Sequence, residues 1–172
     1  VERACRHICA DLSALDEVHG MPDAGREYLR AISVIVVNQT HLADEIKAMG
    51  CEAEAFAADM AEPAQIDAMA GAVLKRFGRL DILVLNAAVR EHVHFDEITY
   101  DDWRRILATN LDSVFVATKA FLPALKQAGD GRIVTFAGVT ALLGLKDRVH
   151  VAASKHGIVG MTKAMAQDFA EF

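Results

Sequence analysis

The sequence lacks an excess of basic residues and any long apolar run. Its 172 residues carry 18 Lys and Arg against 24 Asp and Glu, a net charge of −6. A nucleic-acid partner needs a basic surface to meet its phosphates, so this balance argues against one. No apolar run approaches the roughly 18 residues that cross a bilayer. The sequence therefore predicts a protein without nucleic-acid or membrane partners, and favours a small-molecule ligand.

Cysteine is also scarce, and its spacing is not that of a structural framework. The three cysteines, Cys5, Cys9 and Cys51, are an odd number, which favours ordinary thiols in a reducing compartment. Cys5-x-His7-x-Cys9 lacks both the two-residue spacing of zinc sites and a second ligand pair, so no metal site is predicted. The N-terminus carries no charged-then-apolar signal pattern. A cytoplasmic location is expected.

Strand and helix patterns alternate from about residue 33, which is the order that builds a parallel sheet covered by helices. With 53% hydrophobic residues, the chain is expected to form a single domain over 1–172, in which residues 1–30 diverge from the pattern. Predicted strands cover residues 33–37, 53–58, 80–85 and 131–136. Predicted helices cover 41–49, 63–77, a continuous 103–125 and the residues from 151 onward.

Polar residues stand at the ends of these strands and on the helices. Asp59 follows the second strand, and Asn86 and Ala87 follow the third. Asn110 lies on the apolar stripe of the long helix, and Lys155 lies on the last helix. Thr99-x-x-Asp102 has the spacing of a capping box at a helix start. Each feature alone is more often structural than functional, but together and in this order chance is the poorer explanation.

These motifs, in this order, resemble the short-chain dehydrogenase/reductase family over residues 33–172, and within it the members similar to 3-oxoacyl-acyl-carrier-protein reductases. The stretch Gly78–Ala88 resembles the family's strand that ends in an Asn-Asn-Ala-Gly turn, with two of four turn residues matching. The stretch Val151–Gly157 resembles its active-site helix, but Val151 replaces the tyrosine. Gly138, thirteen residues earlier, stands where the family has a serine.

The resemblance implies a Rossmann-like parallel sheet flanked by helices, with NAD or NADP as cofactor. It implies hydride transfer between the nicotinamide and a small carbonyl or hydroxyl substrate. By the same resemblance, Asn110 and Lys155 are the remaining catalytic residues. The cofactor-binding residues implied are Asn38, Asp59, Asn86, Ala87 and Lys155. Because Asn38 is neutral where an acidic residue selects NAD, the sequence leaves NAD and NADP open.

Three departures from the family predict impaired catalysis. Val151 and Gly138 offer no proton donor, and general acid–base assistance is typically worth about 10² to 10⁴ in rate. His150 is a candidate substitute, although neighbouring residues on a helix point about 100° apart. The glycine-rich turn that holds a pyrophosphate is absent from the sequence. The fold is therefore expected to be incomplete at the N-terminal strand, and also at the C-terminal strands, which in the family follow the position of Phe172.

Two alternatives stay open. The chain could be a non-catalytic binding module that forms a homodimer or tetramer through helices about 103–125 and 152–170. It could instead be an incomplete fragment of a longer enzyme, because it begins at Val1 and ends at Phe172 inside a helical pattern.

Overall fold

A computed structural model describes residues 35–37, 40–48 and 52–171, all of which belong to the compact unit Ser33–Phe172. Asn38, the divergent segment 1–30 and the three cysteines lie outside the described residues. The predictions made for those positions are therefore not addressed by the structure.

Strands and helices alternate along the described chain, which confirms the α/β class. The strands are β1 (Ile35–Val37), β2 (Glu54–Phe56), β3 (Ile82–Leu85) and β4 (Arg132–Thr135). The α-helices are α1 (Thr40–Ala48), α2 (Pro63–Phe77), α3 (Tyr100–Leu107), α4 (Ser113–Ala128) and α5 (Val149–Asp168). Two short 3-10 turns, Phe95–Glu97 and Val139–Ala141, interrupt the loops after β3 and β4.

The described strands form two separate parallel pairs. β1 pairs with β2, with Val36 opposite Ala55, and β3 pairs with β4, with Leu83 opposite Ile133. In the 3-2-1-4-5-6 order of a doubly wound sheet these pairs match strands 3-2 and 4-5. The central strand between them is not among the described residues. The described residues therefore form part of a Rossmann-like fold, the class that the sequence predicts.

Helix α2 begins and ends where the sequence indicates. Pro63 occupies the first turn, where its missing N–H costs nothing. Gly78 ends the helix in the left-handed conformation, with φ 74°, and its N–H donates to the Leu74 carbonyl at 2.9 Å. A left-handed residue is the common way to satisfy the last helical carbonyls, and glycine adopts it without strain.

The core lies between the β3–β4 pair and the helices α2 and α4. Leu83 and Leu85 face it from β3, whereas Val84 between them is exposed, as the alternation of a strand requires. Ile66 and Phe121 are completely buried there, and each such side chain contributes about 1.5–3 kcal/mol. Within the described ranges, no helix combines the length and the apolar character that a membrane span requires.

The long helix predicted over 103–125 is not one continuous α-helix. The structure has α3, then a π-helical turn at Ala108–Asp112, then α4. The N–H of Ser113 donates to the carbonyl of Ala108, which is the wide spacing of a π turn. The capping box at the start of α3 is confirmed, with the Thr99 hydroxyl accepting from the Asp102 N–H. The widened turn contains Asn110, which makes it part of the candidate site.

Candidate functional site

Asn110 connects the loop after β3 to helix α5. Its Oδ1 accepts a hydrogen bond from the Val89 N–H at 2.7 Å, and its Nδ2 donates to the Val89 carbonyl at 3.0 Å. The same Nδ2 is 3.2 Å from Oγ of Ser154, which in turn donates to the Val151 carbonyl at 2.8 Å. Asn110 and Ser154 are both fully buried. One amide therefore fixes the loop, the π turn and the start of α5 relative to one another.

Lys155 is a buried amine beside the end of β4. Only 7% of the residue is exposed, and its Nζ donates to the Phe136 carbonyl at 2.6 Å. Burial lowers the pKa of Lys155 below its ordinary value, and the positive charge of Arg90 lowers it further. In the described part of the chain, no carboxylate forms an ion pair with it.

Val151 lies one helical turn before Lys155 and is almost completely buried. The 3-10 turn Val139–Ala141 packs against α5. A valine has neither a donor nor a titratable group, so the position that resembles the family's tyrosine contributes only packing.

Gly138, at the position that resembles the family's serine, has a backbone that side chains rarely accept. Its φ is 88° and its ψ 176°, a region that is essentially restricted to glycine. A Cβ built on it would meet no heavy atom within 4 Å. Backbone conformation, and not lack of space, is therefore what disfavours serine here. Sequence reasoning identified the missing hydroxyl but not this strain.

His150 is fully buried, and neither ring nitrogen has a hydrogen-bond partner in the described structure. It precedes Ser154, which is hydrogen-bonded to Asn110, by one helical turn. It therefore lies toward the Asn110 side of α5. Lys155, on the other edge of the buried face, reaches the end of β4. Val151 lies about 100° around the helix from His150.

The loop after β3 is also held by contacts away from Val89. Arg105 of α3 donates to both carboxylate oxygens of Glu91, at 2.8 and 2.7 Å. The N–H of Val93 donates to the Asp147 carbonyl at 2.9 Å. Arg105 holds the pKa of Glu91 below its ordinary value. Sequence reasoning missed this pair, and also the Ser154 link to Asn110; a serine on the buried face of a helix is a weak signal for such a link.

The residues implied for cofactor binding follow the carboxyl ends of the strands. Asn86 is half-buried and Ala87 exposed directly after β3, whose carboxyl end lies beside that of β4. Asp59 is exposed after β2, and its Oδ1 accepts from the Ala61 N–H at 2.9 Å. Ligands of open α/β sheets bind at this edge.

The donors present suit part of a dinucleotide. An ammonium has three N–H donors, and Lys155 uses one of them on the Phe136 carbonyl, which leaves donors for ribose hydroxyls. Asp59 keeps one carboxylate oxygen without a described partner. Residues 1–34, where a pyrophosphate turn would precede β1, lie outside the described ranges. Over the parts of the chain that are described, no cluster of His, Cys, Asp and Glu suits a metal ion.

Comparisons with known proteins agree with this arrangement. The family model described as short chain dehydrogenase matches residues 9–172. The chain is 36% identical over 129 residues to cyclohexanol dehydrogenase of Acinetobacter sp., covering 74% of this chain and 51% of that protein. It is 32% identical over 126 residues to the 3-oxoacyl-[acyl-carrier-protein] reductase of Synechocystis sp., covering 73% and 51%.

A solved structure shows the same fold. A metagenomic short-chain oxidoreductase crystallised in complex with NADP superposes with a TM-score of 0.76 at 28% identity, covering 81% of this chain and 66% of that one. The chain spans about half the length of the two curated relatives named above. On the family match and the fold together, the chain belongs to the short-chain dehydrogenase family.

Proposed function

We propose that the chain is an NAD(P)-dependent oxidoreductase-like protein of this family in which cofactor binding persists and catalysis is impaired. The proposal rests on two features of the site. The hydrogen bonds of Asn110 and the buried Lys155 are present, whereas Val151 and Gly138 supply no hydroxyl. The NADP found in the solved relative supports the choice of cofactor. The substrate class is a small carbonyl or hydroxyl compound, as in relatives such as cyclohexanol dehydrogenase.

Each proposed binding residue has a separate task. NAD(P) supplies or accepts the hydride when it is bound. Lys155 would hold the nicotinamide ribose through its remaining donors, while Asn86 and Ala87 border the nicotinamide at the end of β3. Asp59 would face the adenine, and Asn38 the adenine ribose. Asn110 acts indirectly by fixing the loop and α5, so that Lys155 is held at the end of β4.

The impaired step is proton transfer. When a carbonyl accepts a hydride, the resulting alkoxide must gain a proton, and a phenol at position 151 would supply it. Valine cannot supply a proton, so we expect the rate of the reaction to be lower by a factor of about 10² to 10⁴. His150 is the substitute donor among the proposed site residues, but it needs a rotation of α5 to reach the side on which Val151 lies.

Calorimetry with NADH and NADPH on the purified chain, followed by reductase assays on Val151→Tyr, tests the proposal. We expect micromolar cofactor binding, and turnover that rises by about 10² or more in the tyrosine variant. Val151→Phe, which matches the ring but lacks the hydroxyl, is the control and should not exceed the turnover of the parent chain. If neither cofactor binds the parent chain, the proposal fails. An additional His150→Gln change that leaves residual turnover intact excludes His150 as the donor.

A second candidate function, assembly without catalysis, is favoured by one exposed aromatic. Phe115 on α4 is 54% exposed, with the Lys119 ammonium over its ring at 5.8 Å. We propose a homodimer or tetramer through α4 and α5. Phe115→Glu should then shift the sedimentation coefficient toward the monomer. Tyr100→Glu, at a 75% exposed position on α3, should leave it unchanged.

The proposal includes the protein's setting. We infer a single Rossmann-like domain over 1–172, with the segment 1–30 divergent, in a cytoplasmic protein. The three cysteines, an odd number, support a reducing compartment.

A further inference from the structure

The loop after β3 and the residues that precede α5 meet through two neighbouring contacts. The N–H of Val93 donates to the Asp147 carbonyl at 2.9 Å. Beside it, Nε of Arg148 lies 3.4 Å from Nδ1 of His92, and the guanidinium also contacts Nε2 of that ring. His92 and Arg148 are 56 positions apart in the sequence. This junction therefore joins two segments that border the candidate site.

The backbone at the junction has an unusual conformation. Asp147 has φ 58°, in the left-handed region that few residues other than glycine adopt. Aspartate is one of those that visit it. The carbonyl of Asp147 meets the Val93 N–H, while the next side chain, Arg148, reaches His92. Because residues in sparsely populated conformations cluster at ligand sites and switch segments, a conformational switch is expected at this junction.

The loop before the junction is held by other groups. The side-chain amide of Asn110 binds both backbone groups of Val89. The guanidinium of Arg105 binds both carboxylate oxygens of Glu91. An amide and a guanidinium do not change charge near neutral pH. Any pH-dependent opening of the loop near neutral pH is therefore expected to begin after Glu91.

We propose that the contact between His92 and Arg148 is a pH-sensitive latch, closed at neutral pH and released in mild acid. A guanidinium keeps its charge and only donates hydrogen bonds. A neutral imidazole offers one nitrogen as an acceptor, whereas an imidazolium offers none. Imidazoles change charge between about pH 5 and pH 8, so protonation replaces the hydrogen bond by repulsion between two cations. The latch is a property of the fold, and its effect on the site rests on the proposed function.

His92 is exposed, so protons reach its ring from solvent. The charged or titratable residues beside it on the two segments are Arg90, Glu91, His94, Lys146, Asp147 and Arg148. Glu91 is bound by Arg105, and the ring of His94 is bound by Asp96. Asp147 meets the loop through its backbone carbonyl. Arg148 is the residue whose side chain contacts the His92 ring in the described structure, so the charge of His92 decides whether Arg148 has an acceptor there.

Hydrogen exchange of the Val93 amide, followed by NMR on the purified chain without cofactor, tests the proposal. After correction for the intrinsic exchange rate, we expect the protection of this amide to fall about threefold or more between about pH 7.5 and pH 5.5, because one hydrogen bond is lost beside it. The Gly78 amide, which donates to the Leu74 carbonyl at the end of α2, is the internal reference and should keep its protection. Unchanged protection of Val93, or an equal fall at Gly78, overturns the proposal.

Three variants identify the group that titrates. His92→Gln keeps an acceptor for Arg148 at every pH, so the Val93 amide should stay protected in acid. His92→Lys carries a positive charge throughout this range, so protection should already be low at about pH 7.5. His94→Gln, on the same loop but paired with Asp96, should behave like the parent chain. If His92→Gln shows the same fall as the parent, another group controls the junction and the proposal is wrong. Because no cofactor is present, the result is independent of the proposed oxidoreductase function.

Discussion

Asn110 holds Val89 through both of its backbone groups. The side-chain oxygen accepts from the Val89 N–H at 2.7 Å, and the side-chain nitrogen donates to the Val89 carbonyl at 3.0 Å. A loop residue has no neighbouring strand to pair with its N–H and carbonyl, so the side-chain amide of Asn110 forms these two hydrogen bonds instead. The π turn at Ala108–Asp112 presents that amide to Val89. Asn110 thus has a structural role, because it holds the loop that borders the candidate site.

Replacing Asn110 with alanine should destabilise the fold strongly. The Val89 N–H and carbonyl both lose their partner, and Ser154 loses one contact. Unsatisfied buried groups cost about 1–3 kcal/mol each, so a loss of roughly 2–4 kcal/mol in the free energy of unfolding is expected. Urea denaturation measures it. Gln127→Ala, which removes an exposed amide from α4, should change stability by less than about 0.5 kcal/mol. Equal effects of the two changes would contradict the interpretation.

The Glu91–Arg105 pair should make stability depend on acid pH. The hydrogen bonds from Arg105 lower the pKa of Glu91 from its ordinary value of 4.5, so the folded state favours the carboxylate. Its contribution is fully present above pH 4.5 and is lost as the pH falls through the lowered pKa of the folded state. A double-mutant cycle of Glu91→Gln and Arg105→Gln should give a coupling of about 0.5–1 kcal/mol at pH 7. That coupling should decrease as the pH falls through the lowered pKa of Glu91.

The control for this prediction lies one residue away. Arg104 and Asp112 are 3.7 Å apart, a longer and single contact between exposed side chains. The same cycle on that pair should give a smaller coupling at pH 7. A Glu91–Arg105 coupling that does not decrease at any acid pH at which the protein stays folded would show that packing, and not charge, joins the two residues.

Gly131 should not tolerate a side chain. A Cβ at this position would lie 2.7 Å from the backbone oxygen of Leu125, and backbone cannot move away as a side-chain tip can. Gly131→Ala should therefore cost about 1–3 kcal/mol in unfolding free energy. Gly144→Ala is the matched control, because a Cβ there meets nothing within 4 Å. Thermal unfolding of both variants checks this. A tolerated Gly131→Ala would mean that the turn before β4 shifts easily.

The sequence predicted those features that depend on local pattern. Strands at 82–85 and 132–135 fall inside the predicted runs because apolar and β-branched residues bounded by turns mark buried strands. The Thr99 cap was readable because a hydroxyl and a carboxylate at that spacing satisfy the same free N–H groups. Asn110 and Lys155 were identified by resemblance to the family, and the structure gives both of them hydrogen-bond partners in the backbone.

Features that depend on distant contacts could not be predicted. The π turn at Ala108–Asp112 differs from an α-helix by one residue in its hydrogen bonding, and the amide of Asn110 is satisfied by Val89, 21 positions away. The positive φ of Gly138 follows from the path between β4 and α5, not from neighbouring residue types. The pairing of Glu91 with Arg105 likewise joins a loop to a helix 14 positions away.

Restoring serine at position 138 should therefore weaken the protein. Its φ of 88° and ψ of 176° lie where a non-glycine residue costs about 1–3 kcal/mol. Gly138→Ala should cost the same as Gly138→Ser, because the strain belongs to the Cβ and not to the hydroxyl. Urea denaturation of the two variants measures this, and a serine variant as stable as the parent would show that the backbone relaxes to a negative φ. Val151→Tyr alone should therefore give a more stable protein than the double variant Val151→Tyr with Gly138→Ser. The backbone conformation at position 138 disfavours serine, so a tyrosine at position 151 is the substitution that costs less stability.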